Sequence, residues 1–448
     1  MIALLLDESM NRLLLFNSMK NDIKKIVVVG GGFAGVNFIE ELEDNPNFQI
    51  TLVDANNYNH FPPLLYQVAT AFIEASNICY PFRKMFQGKK NLRFHLGSLL
   101  QINYEQNYIE TDTGLLDYDF LVLAVGTESN YFGLENVKQH SLPMKTVDDA
   151  LNLRNHILMS FEKAVQERDT ETRQKYLNIV IAGGGPSGVE VAGMLAEMRQ
   201  YLAKKEYPEF TDAHAQIILV DMAPVLLTPM SKSSQQEALD VLTKLGVTVK
   251  LNVSVKDYVD EMVILGNGEK IQTNTLIWTS GVIGKELLGL PEGVLGRGRR
   301  VQVNEYNRVG GTQNIFAIGD ICLHTTDAHF PNGHPQVAQV AIQQGNLLAK
   351  NLVKIVNQEA TKPFVYNDRG SMAIIAKYKA VADLPKFSFK GFFAWLAWLF
   401  IHIIPIAGFR NKVKLSSNWF WDFLTNNPSL RLIIRPREKE KVIMEEMH

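Results

Sequence analysis

Two glycine turns of equal spacing, each set between a buried-strand pattern and a helical one, and an apolar, cationic C-terminal segment predict an α/β chain. It comprises two Rossmann-like dinucleotide-binding domains and a C-terminal amphipathic helical, membrane-anchoring region. The first turn is IVVVGGGFAG, Ile26 to Gly35. Its β-formers lead into Gly30, Gly32 and Gly35, the spacing that lets backbone approach a pyrophosphate and opens a helix whose positive N-terminus faces it. Val36, Phe38, Ile39 and Leu42 then recur at helical spacing, Pro46 stops the run, and Gln49 to Asp54 reads as a short buried strand. Asp54 ends that strand where an acid can hydrogen-bond a ribose.

The loop NHFPPLLYQVA, residues 59–69, follows, with two prolines fixing its entry and His60 shaping it. Strand-like runs come at Leu92 to Leu96, Tyr108 to Thr111 and Phe120 to Val125. The last ends in small residues, Ala124 and Gly126 among them, which let backbone pass close to a flat ligand or another domain. A helix from Thr146 to about Glu167 leads to the second turn. Asn178 to Ala182 is its strand, Gly183, Gly185 and Gly188 its glycines, and Val189 to about Lys204 its helix, while Ile217 to Asp221 supplies the acid-ended strand. Arg199 to Ala215 reads as a charged surface insertion that lengthens the unit. Met222, Ala223 and Pro224 offer no arginine for a 2′-phosphate, so Asp221 favours NADH over NADPH. Two such units imply two nucleotide cofactors with an electron path between them.

Strands at Val247 to Leu251, Met262 to Leu265 and Thr275 to Thr279 close this unit before Ser280 and Gly281. In TQNIFAIGD, Thr312 to Asp320, a strand delivers Gly319 and Asp320 to a tight turn, and Gln336 to Leu348 forms a helix. Gln339 and Gln343 share one face of it, either a solvated surface or amides offered to the carbonyls of a ligand.

A length of 448 residues suits two or three domains, and a net charge of −2 argues against nucleic acid as a partner. From Lys386 to Arg437, however, eight cations stand against Asp422 alone, a local +7 that calls for an anionic surface. Within this stretch Gly391 to Ile404 is apolar throughout, shorter than the ~20 residues of a bilayer span. Pro405 and Gly408 break the helix, and Arg410, Lys412 and Lys414 flank it, which predicts an in-plane anchor. Trp419 with Phe423 and Phe420 with Leu424 repeat the theme as i, i+4 pairs; a core helix or a homodimer contact is the alternative.

Cys79 and Cys322 are isolated, which excludes a local zinc site or dithiol redox centre and with it the disulfide reductases, and points to the cytoplasm. His324, His329 and His334 recur every five residues in a loop, which suits surface histidines and no metal. Residues 1–21 read as a mobile extension, with Met19 an alternative start to Met1. The expected domains are 22–140 with 286–375, 141–285, and 376–448.

The Gly319-Asp320 turn after two glycine motifs resembles the two-dinucleotide-binding flavoprotein reductases, in which this pair meets the ribityl and pyrophosphate part of FAD. More narrowly, Ala338-Gln339-Val340-Ala341-Ile342-Gln343-Gln344-Gly345 matches the A-Q-x-A-x-Q-Q-G pattern of type II NADH:quinone oxidoreductases. The segments Gly184 to Glu190, Trp278 to Val282, Lys379 to Leu384 and Gly408 to Asn411 are similar to that family's as well, so the resemblance covers nearly all of the chain beyond residue 22.

The resemblance implies a peripheral, respiratory flavoenzyme that passes a hydride from NADH to FAD and two electrons to ubiquinone or menaquinone without pumping protons. It places the enzyme as a homodimer on the cytoplasmic face of a bacterial inner membrane. FAD falls to Gly30, Gly32, Phe33, Ala34, Gly35, Asp54, Ala124, Gly126, Gly319, Asp320 and Ala338. NADH falls to Gly183, Gly185, Pro186, Ser187, Gly188, Glu190, Asp221, Ser280 and Gly281, and quinone to Gln339, Gln343 and Lys379. Glu190 is expected to orient NADH and assist proton transfer, and Lys379 to stabilise developing negative charge. The rival readings are a sulfide:quinone oxidoreductase, which needs a cysteine pair, and an NADH-sensing flavoprotein with little turnover.

Overall fold

The computed structural model describes residues 23–207, 216–425 and 431–434. The expected extension at 1–21, with Met19, lies outside them. The chain forms two units, each discontinuous in sequence: Met1–Asn59, Pro81–Glu128 and Ile283–Asp368 make the first, His60–Tyr80, Ser129–Val282 and Arg369–His448 the second.

Each unit is built on a five-stranded parallel sheet whose central strand runs into a glycine turn. In the first the order is Ile315–Ala317, Phe120–Leu123, Lys24–Val29, Phe48–Asp54, Leu92–Leu96. In the second it is Leu142–Pro143, Thr275–Trp278, Ile179–Ala182, Ile217–Val220, Val247–Lys250. The central strand Ile179–Ala182 is buried at every position, as a parallel strand with both faces covered must be. The register Ile26↔Ile50 and Val28↔Leu52 brings apolar side chains onto one face of the first sheet, where Phe38, Ile39 and Leu42 of the helix Phe33–Leu42 meet them.

Against that helix lies Ala338–Val356, longer at both its C-terminal end and in total than the Gln336 to Leu348 expected. The close crossing depends on Gly345, since a Cβ there would stand 2.5 Å from the carbonyl oxygen of Ala34.

In the second unit the helix Val147–Gln166 begins at a capping box, Thr146 accepting from the Asp149 N–H and Asp149 answering the Thr146 N–H. The helix after the second glycine turn runs Pro186–Lys205, so the expected insertion from Arg199 is helical as far as Lys205. Arg199 is half-buried: its guanidinium donates to the carbonyl of Leu245 at 3.0 Å and so closes the end of the helix Lys232–Lys244.

The C-terminal signature forms a three-stranded antiparallel sheet, Ser371–Ala376, Lys379–Asp383 and Ser388–Gly391, within this same unit. Asp383 fastens it, accepting from the Ser231 N–H at 2.7 Å and from both the Ser231 and Ser234 hydroxyls at 2.9 Å, at the N-terminus of the helix Lys232–Lys244. Phe392–Ile403 and Phe409–Thr425 follow as helices.

Gly345→Ala drives a methyl into the Ala34 carbonyl and is expected to cost about 1–3 kcal/mol, an overpacking penalty, read as a lower midpoint of thermal unfolding. Gly293→Ala, with nothing within 4 Å of its added Cβ but a φ of 78°, separates backbone strain from overlap: its loss is expected to be the smaller of the two.

Candidate functional site

In the first unit Gly30 adopts a φ of 106°, and a side chain there would overlap the Ala124 carbonyl. At Gly35 a side chain would overlap the carbonyl of Gly30 itself. Gly32 is different: nothing lies within 4 Å of the place its Cβ would take, and it caps the helix Phe33–Leu42 with no side-chain hydrogen bond. The turn is therefore tight behind and open in front, with the first helical amides of Phe33, Ala34 and Gly35 directed to the open side, the arrangement that receives an anion.

Gly126, at a φ of 72°, is likewise open, and Gly319 at 74° places its N–H on Gln344 Oε1 at 2.7 Å. Gln344 is fully buried, so the third glutamine of the A-Q-x-A-x-Q-Q-G run fixes the Gly319-Asp320 turn. The Asp320 carbonyl accepts from Gln336 at 2.9 Å just before Ala338 starts its helix. These open positions beside a helix N-terminus fit the pyrophosphate and ribityl part of FAD.

The second unit repeats the device. Gly183 has a φ of 114° and its Cβ would stand 2.7 Å from the Thr279 carbonyl, while one on Gly188 would overlap the Gly183 carbonyl. Gly185 is open, Pro186 occupies the first helical position, where its missing N–H costs nothing, and Ser187 is exposed. Gly281, exposed at a φ of 128°, accepts from the Asn130 N–H at 3.1 Å, and Ser280 beside it is half-buried.

The acids that end the second strands hold their own turns. Asp54 Oδ2 accepts from the Gly31 N–H at 2.7 Å and Oδ1 from the Asn56 N–H at 2.8 Å. Asp221 makes the same pair, with the Gly184 N–H and with the Ala223 N–H, the latter at 2.6 Å. The middle glycines, Gly31 and Gly184, went unassigned because the G-x-G-x-x-G spacing leaves that position variable; here a side chain on Gly31 would overlap the Phe82 ring.

Glu190 lies on the face of Pro186–Lys205 that meets the strand Ser371–Ala376, and it is buried. Burial holds its carboxyl well above the ordinary carboxylate range, only partly offset by the Ile374 N–H. Two turns on, Glu197 accepts from the Lys377 N–H at 2.7 Å; burial pushes it up to about 7, with the Lys377 N–H and cation opposing. Gly193 between them allows the approach, because any side chain there would overlap the Ile375 carbonyl.

Tyr66, buried on the short helix Leu65–Ala69, completes the cluster: burial first, then the charges of Glu190 and Glu197, hold its hydroxyl well above the usual range. Gln67 donates to the Tyr66 hydroxyl at 3.0 Å and accepts from Trp419 Nε1 at 2.9 Å. Tyr66, Gln67 and Glu197 were not among the expected site residues. The signal for Glu197 was its place seven residues after Glu190, on the same helix face; nothing local marked the other two.

Other expectations are revised by contacts. Gln343 exchanges both ends of its amide with Asn367, donating to its carbonyl at 3.0 Å and accepting from its N–H at 3.1 Å. Gln339 has no such partner among the described residues. Lys379 is exposed at the start of its strand, and it is Lys377 that reaches Glu197.

His324 and His334 are buried, not surface residues: His334 Nε2 meets Asp327 Oδ2 at 2.9 Å and its ring lies 4.8 Å from that of His324, in an aromatic group with Phe330, Phe364 and Tyr366. Loop spacing could not show this, because the loop folds back on itself. His329 is exposed as expected. Trp419 points inward to Gln67 instead of toward an interface, and the side chains of Phe423 and Leu424 lie outside the described residues. Cys79 and Cys322 are both free thiols, and among the described residues no cluster could hold a metal.

Comparison with known proteins agrees with this reading of two nucleotide cradles. The pyridine nucleotide-disulphide oxidoreductase family matches residues 24–345, and the NDH2 C-terminal domain matches residues 369–426. The type II NADH:quinone oxidoreductase Ndh of Mycobacterium tuberculosis is 34% identical over 417 residues, 90% of this chain and 88% of that protein. The type II NADH:quinone oxidoreductase of Staphylococcus aureus is 30% identical over 373 residues, 81% of this chain and 90% of that protein. The structure of NDH2 from Plasmodium falciparum in complex with NADH superposes with a TM-score of 0.84 at 21% identity, covering 92% of this chain and 100% of that one. With the N-terminal and C-terminal parts both matched, and the relatives covered over most of their length, the chain belongs to the type II NADH:quinone oxidoreductase family.

Proposed function

We propose that this chain is a peripheral membrane enzyme that oxidises NADH and reduces a membrane quinone, ubiquinone or menaquinone, feeding a respiratory chain without pumping protons. The FAD-dependent NADH:quinone oxidoreductase activity is that of its family. The observation that carries the assignment to residues is the doubled cradle: two glycine turns, each tight behind and open in front.

Bound FAD supplies the two-electron relay between NADH and quinone. Gly30, Gly32 and Gly35 with the helix Phe33–Leu42 would hold its pyrophosphate, Ala124 and Gly126 would let it pass close to backbone, and Gly319, Asp320 and Ala338 would hold the ribityl side. Gly183, Gly185, Pro186, Ser187 and Gly188 would hold the NADH pyrophosphate, with Ser280 and Gly281 beside it. Asp54 and Asp221 each brace their own turn and offer remaining lone pairs to a ribose. The clash of a 2′-phosphate with the Asp221 charge selects NADH.

Glu190, whose burial holds its carboxyl well above the ordinary carboxylate range, would give a proton and recover it, as quinone reduction requires. Gln339 would donate to a quinone carbonyl, and Lys379 would supply a cation for developing negative charge.

The reading of the membrane rests on the C-terminal helices. No helix among the described residues is long and apolar enough to cross a membrane. Phe392–Ile403 turns Trp395 and Trp398 inward and leaves Phe393, Leu396, Phe400 and Ile404 as an exposed apolar stripe, while Phe409, Phe420 and Trp421 are exposed on or beside the next helix. Burial lowers His402 to about 4, so the first of these helices carries no charge near neutral pH.

Fewer cations than expected are free for lipid headgroups. Lys390 pairs with Glu237 at 2.8 Å, and Lys412 donates to the Ile404 carbonyl at 2.7 Å. Arg410 and Lys414 remain exposed. An in-plane anchor on an anionic leaflet, on the cytoplasmic face of a bacterial inner membrane, uses this apolar stripe with a light cationic rim. A homodimer would set two such stripes side by side.

Stopped-flow mixing of the FAD-loaded protein with NADH, then with a quinone analogue, is expected to bleach and restore the flavin absorbance at rates fast enough to sustain turnover, with NADPH at least about 10-fold slower. Slow bleaching by NADH would sink the assignment. Phe393→Glu with Phe400→Glu should abolish co-sedimentation with anionic vesicles and leave flavin reduction by NADH at its original rate. If the pair leaves sedimentation intact but dissociates a dimer, the stripe serves a second copy of the chain instead.

A further inference from the structure

One bulky residue beside the second cradle holds a backbone conformation that its type disfavours. Tyr131-Phe132-Gly133-Leu134 is a tight turn, closed by the Leu134 N–H on the Tyr131 carbonyl at 2.9 Å, with a φ of 51° at Phe132 and 78° at Gly133. Two successive positive φ angles mark a turn whose first central position ordinarily goes to asparagine, aspartate or glycine. Phe132 stands there instead, and it is 63% exposed. Neither core packing nor local preference accounts for it. Such strain persists only where the surroundings impose it, and it gathers at ligand sites.

The surroundings do impose it. Tyr131 and Leu134, the two ends of the turn, pack on the core around Val180, Ala182 and Trp278. The Tyr131 ring stacks on that of Trp278, with centroids 5.8 Å apart and planes 18° from parallel. Asn130 ties the same turn to the end of the strand Thr275–Trp278. Its carbonyl accepts from Trp278 Nε1 at 2.8 Å, its N–H donates to the Gly281 carbonyl at 3.1 Å, and its side chain accepts from the Phe132 N–H at 2.9 Å. The Phe132 ring comes to rest beside Gly281, where a Cβ would stand 3.1 Å from Phe132 Cζ. Gly281 lies two residues past Thr279, whose carbonyl is the group that a side chain on Gly183 would overlap. The ring therefore stands at the rim of the second cradle.

Strand order decides which half of a dinucleotide it meets. Thr275–Trp278 and Ile217–Val220 lie on opposite sides of Ile179–Ala182. A dinucleotide crosses the end of the central strand, and the acid-ended strand takes the adenosine ribose. With Asp221 on that side, the nicotinamide half falls on the other, toward Ser280, Gly281 and Phe132.

We propose that Phe132 is a substrate-positioning residue of this enzyme, an aromatic wall that packs its face against the nicotinamide half of NADH. The inference rests on the assignment of the second cradle to NADH. A flat, rigid ring suits a flat heterocycle, because stacking needs no polar partner and little side-chain freedom is lost. An asparagine in its place would relax the turn and remove the wall, so stability and binding are expected to move in opposite senses.

The test uses the FAD-loaded, oxidised full chain, titrated calorimetrically with NAD⁺ and separately with ADP-ribose, which has the same adenosine and pyrophosphate but no nicotinamide. In Phe132→Asn the affinity for NAD⁺ is expected to fall about 5- to 10-fold, the worth of one aromatic contact, while that for ADP-ribose stays at its wild-type value. The midpoint of thermal unfolding should stay level or rise, which a merely structural role would not allow. Phe132→Tyr keeps the ring and should keep the affinity for NAD⁺. Proton resonances of the nicotinamide should move upfield when NAD⁺ binds the wild-type protein, under the ring current of Phe132, and this movement should vanish in Phe132→Asn. If Phe132→Asn fails to fold, Phe132→Leu is read for the same difference between the two ligands. Unchanged NAD⁺ affinity, or an equal loss for ADP-ribose, would overturn the inference, the second result making the turn a prop of the whole cradle. A wild-type protein that binds neither ligand would instead defeat the assignment of the cradle to NADH.

Discussion

The carbonyl oxygen of Gly30 occupies the space a side chain on Gly35 would need, and the carbonyl of Gly183 does the same to Gly188. In each unit this one backbone contact draws the start of the helix against the end of the central strand, closer than any Cβ permits. From it follows the rest of the cradle. The first glycine must take a positive φ to turn the chain, and the third position stays open in front of the helix N-terminus, the arrangement that suits an anion. The acid at the end of the neighbouring strand holds the loop by its second glycine N–H, so Asp54 and Asp221 are as much part of the turn as of a nucleotide site.

Much of this was legible in the sequence, and for a physical reason. Strand, turn and helix around Gly30 and Gly183 are local: the β-formers, the glycine spacing and the helical periodicity lie within a few dozen residues and each constrains the same backbone path. What escaped the sequence is what depends on contacts between distant segments. Gln343 pairs with Asn367 and Gln344 with Gly319, so two neighbouring glutamines in one signature have different partners, and among the described residues Gln339 pairs with neither. His324 and His334 looked like loop residues because their spacing fits no regular face; burial by Phe364 and Tyr366, some thirty residues on, decides their environment. Likewise the motif KAVADL, read for its lysine, has its structural weight at the other end, where Asp383 caps a helix that begins at Lys232.

The C-terminal region shows the same division. Composition marked the run after Gly391 as shorter than a bilayer span, and its helix, Phe392–Ile403, is twelve residues long. Composition alone could not say which cations stay free. Lys390 is paired with Glu237 and the Lys412 ammonium is tied to a helix-end carbonyl, so on the proposed reading of these helices as an anchor the charge attraction would be weaker than a count of +7 suggests and apolar burial would contribute more.

Glu190 and Glu197 stand against the rule that apolar contact stabilises a helix on a sheet. Two leucines at these positions would pack against Ile374 and Ile375 without desolvating a carboxyl, and Gly193 already brings the two backbones as close as they can come. The acids instead raise their own protonation threshold by burial, which makes the native state bind protons more tightly than the unfolded chain does. For Glu197 that stabilisation is full below the ordinary carboxylate range and is lost as pH rises through about 7. The carboxyls also have a structural return, since they take up the Ile374 and Lys377 N–H groups that leucines would leave unpaired. On the proton-transfer role proposed for Glu190, the same burial would set where its carboxyl holds and releases a proton.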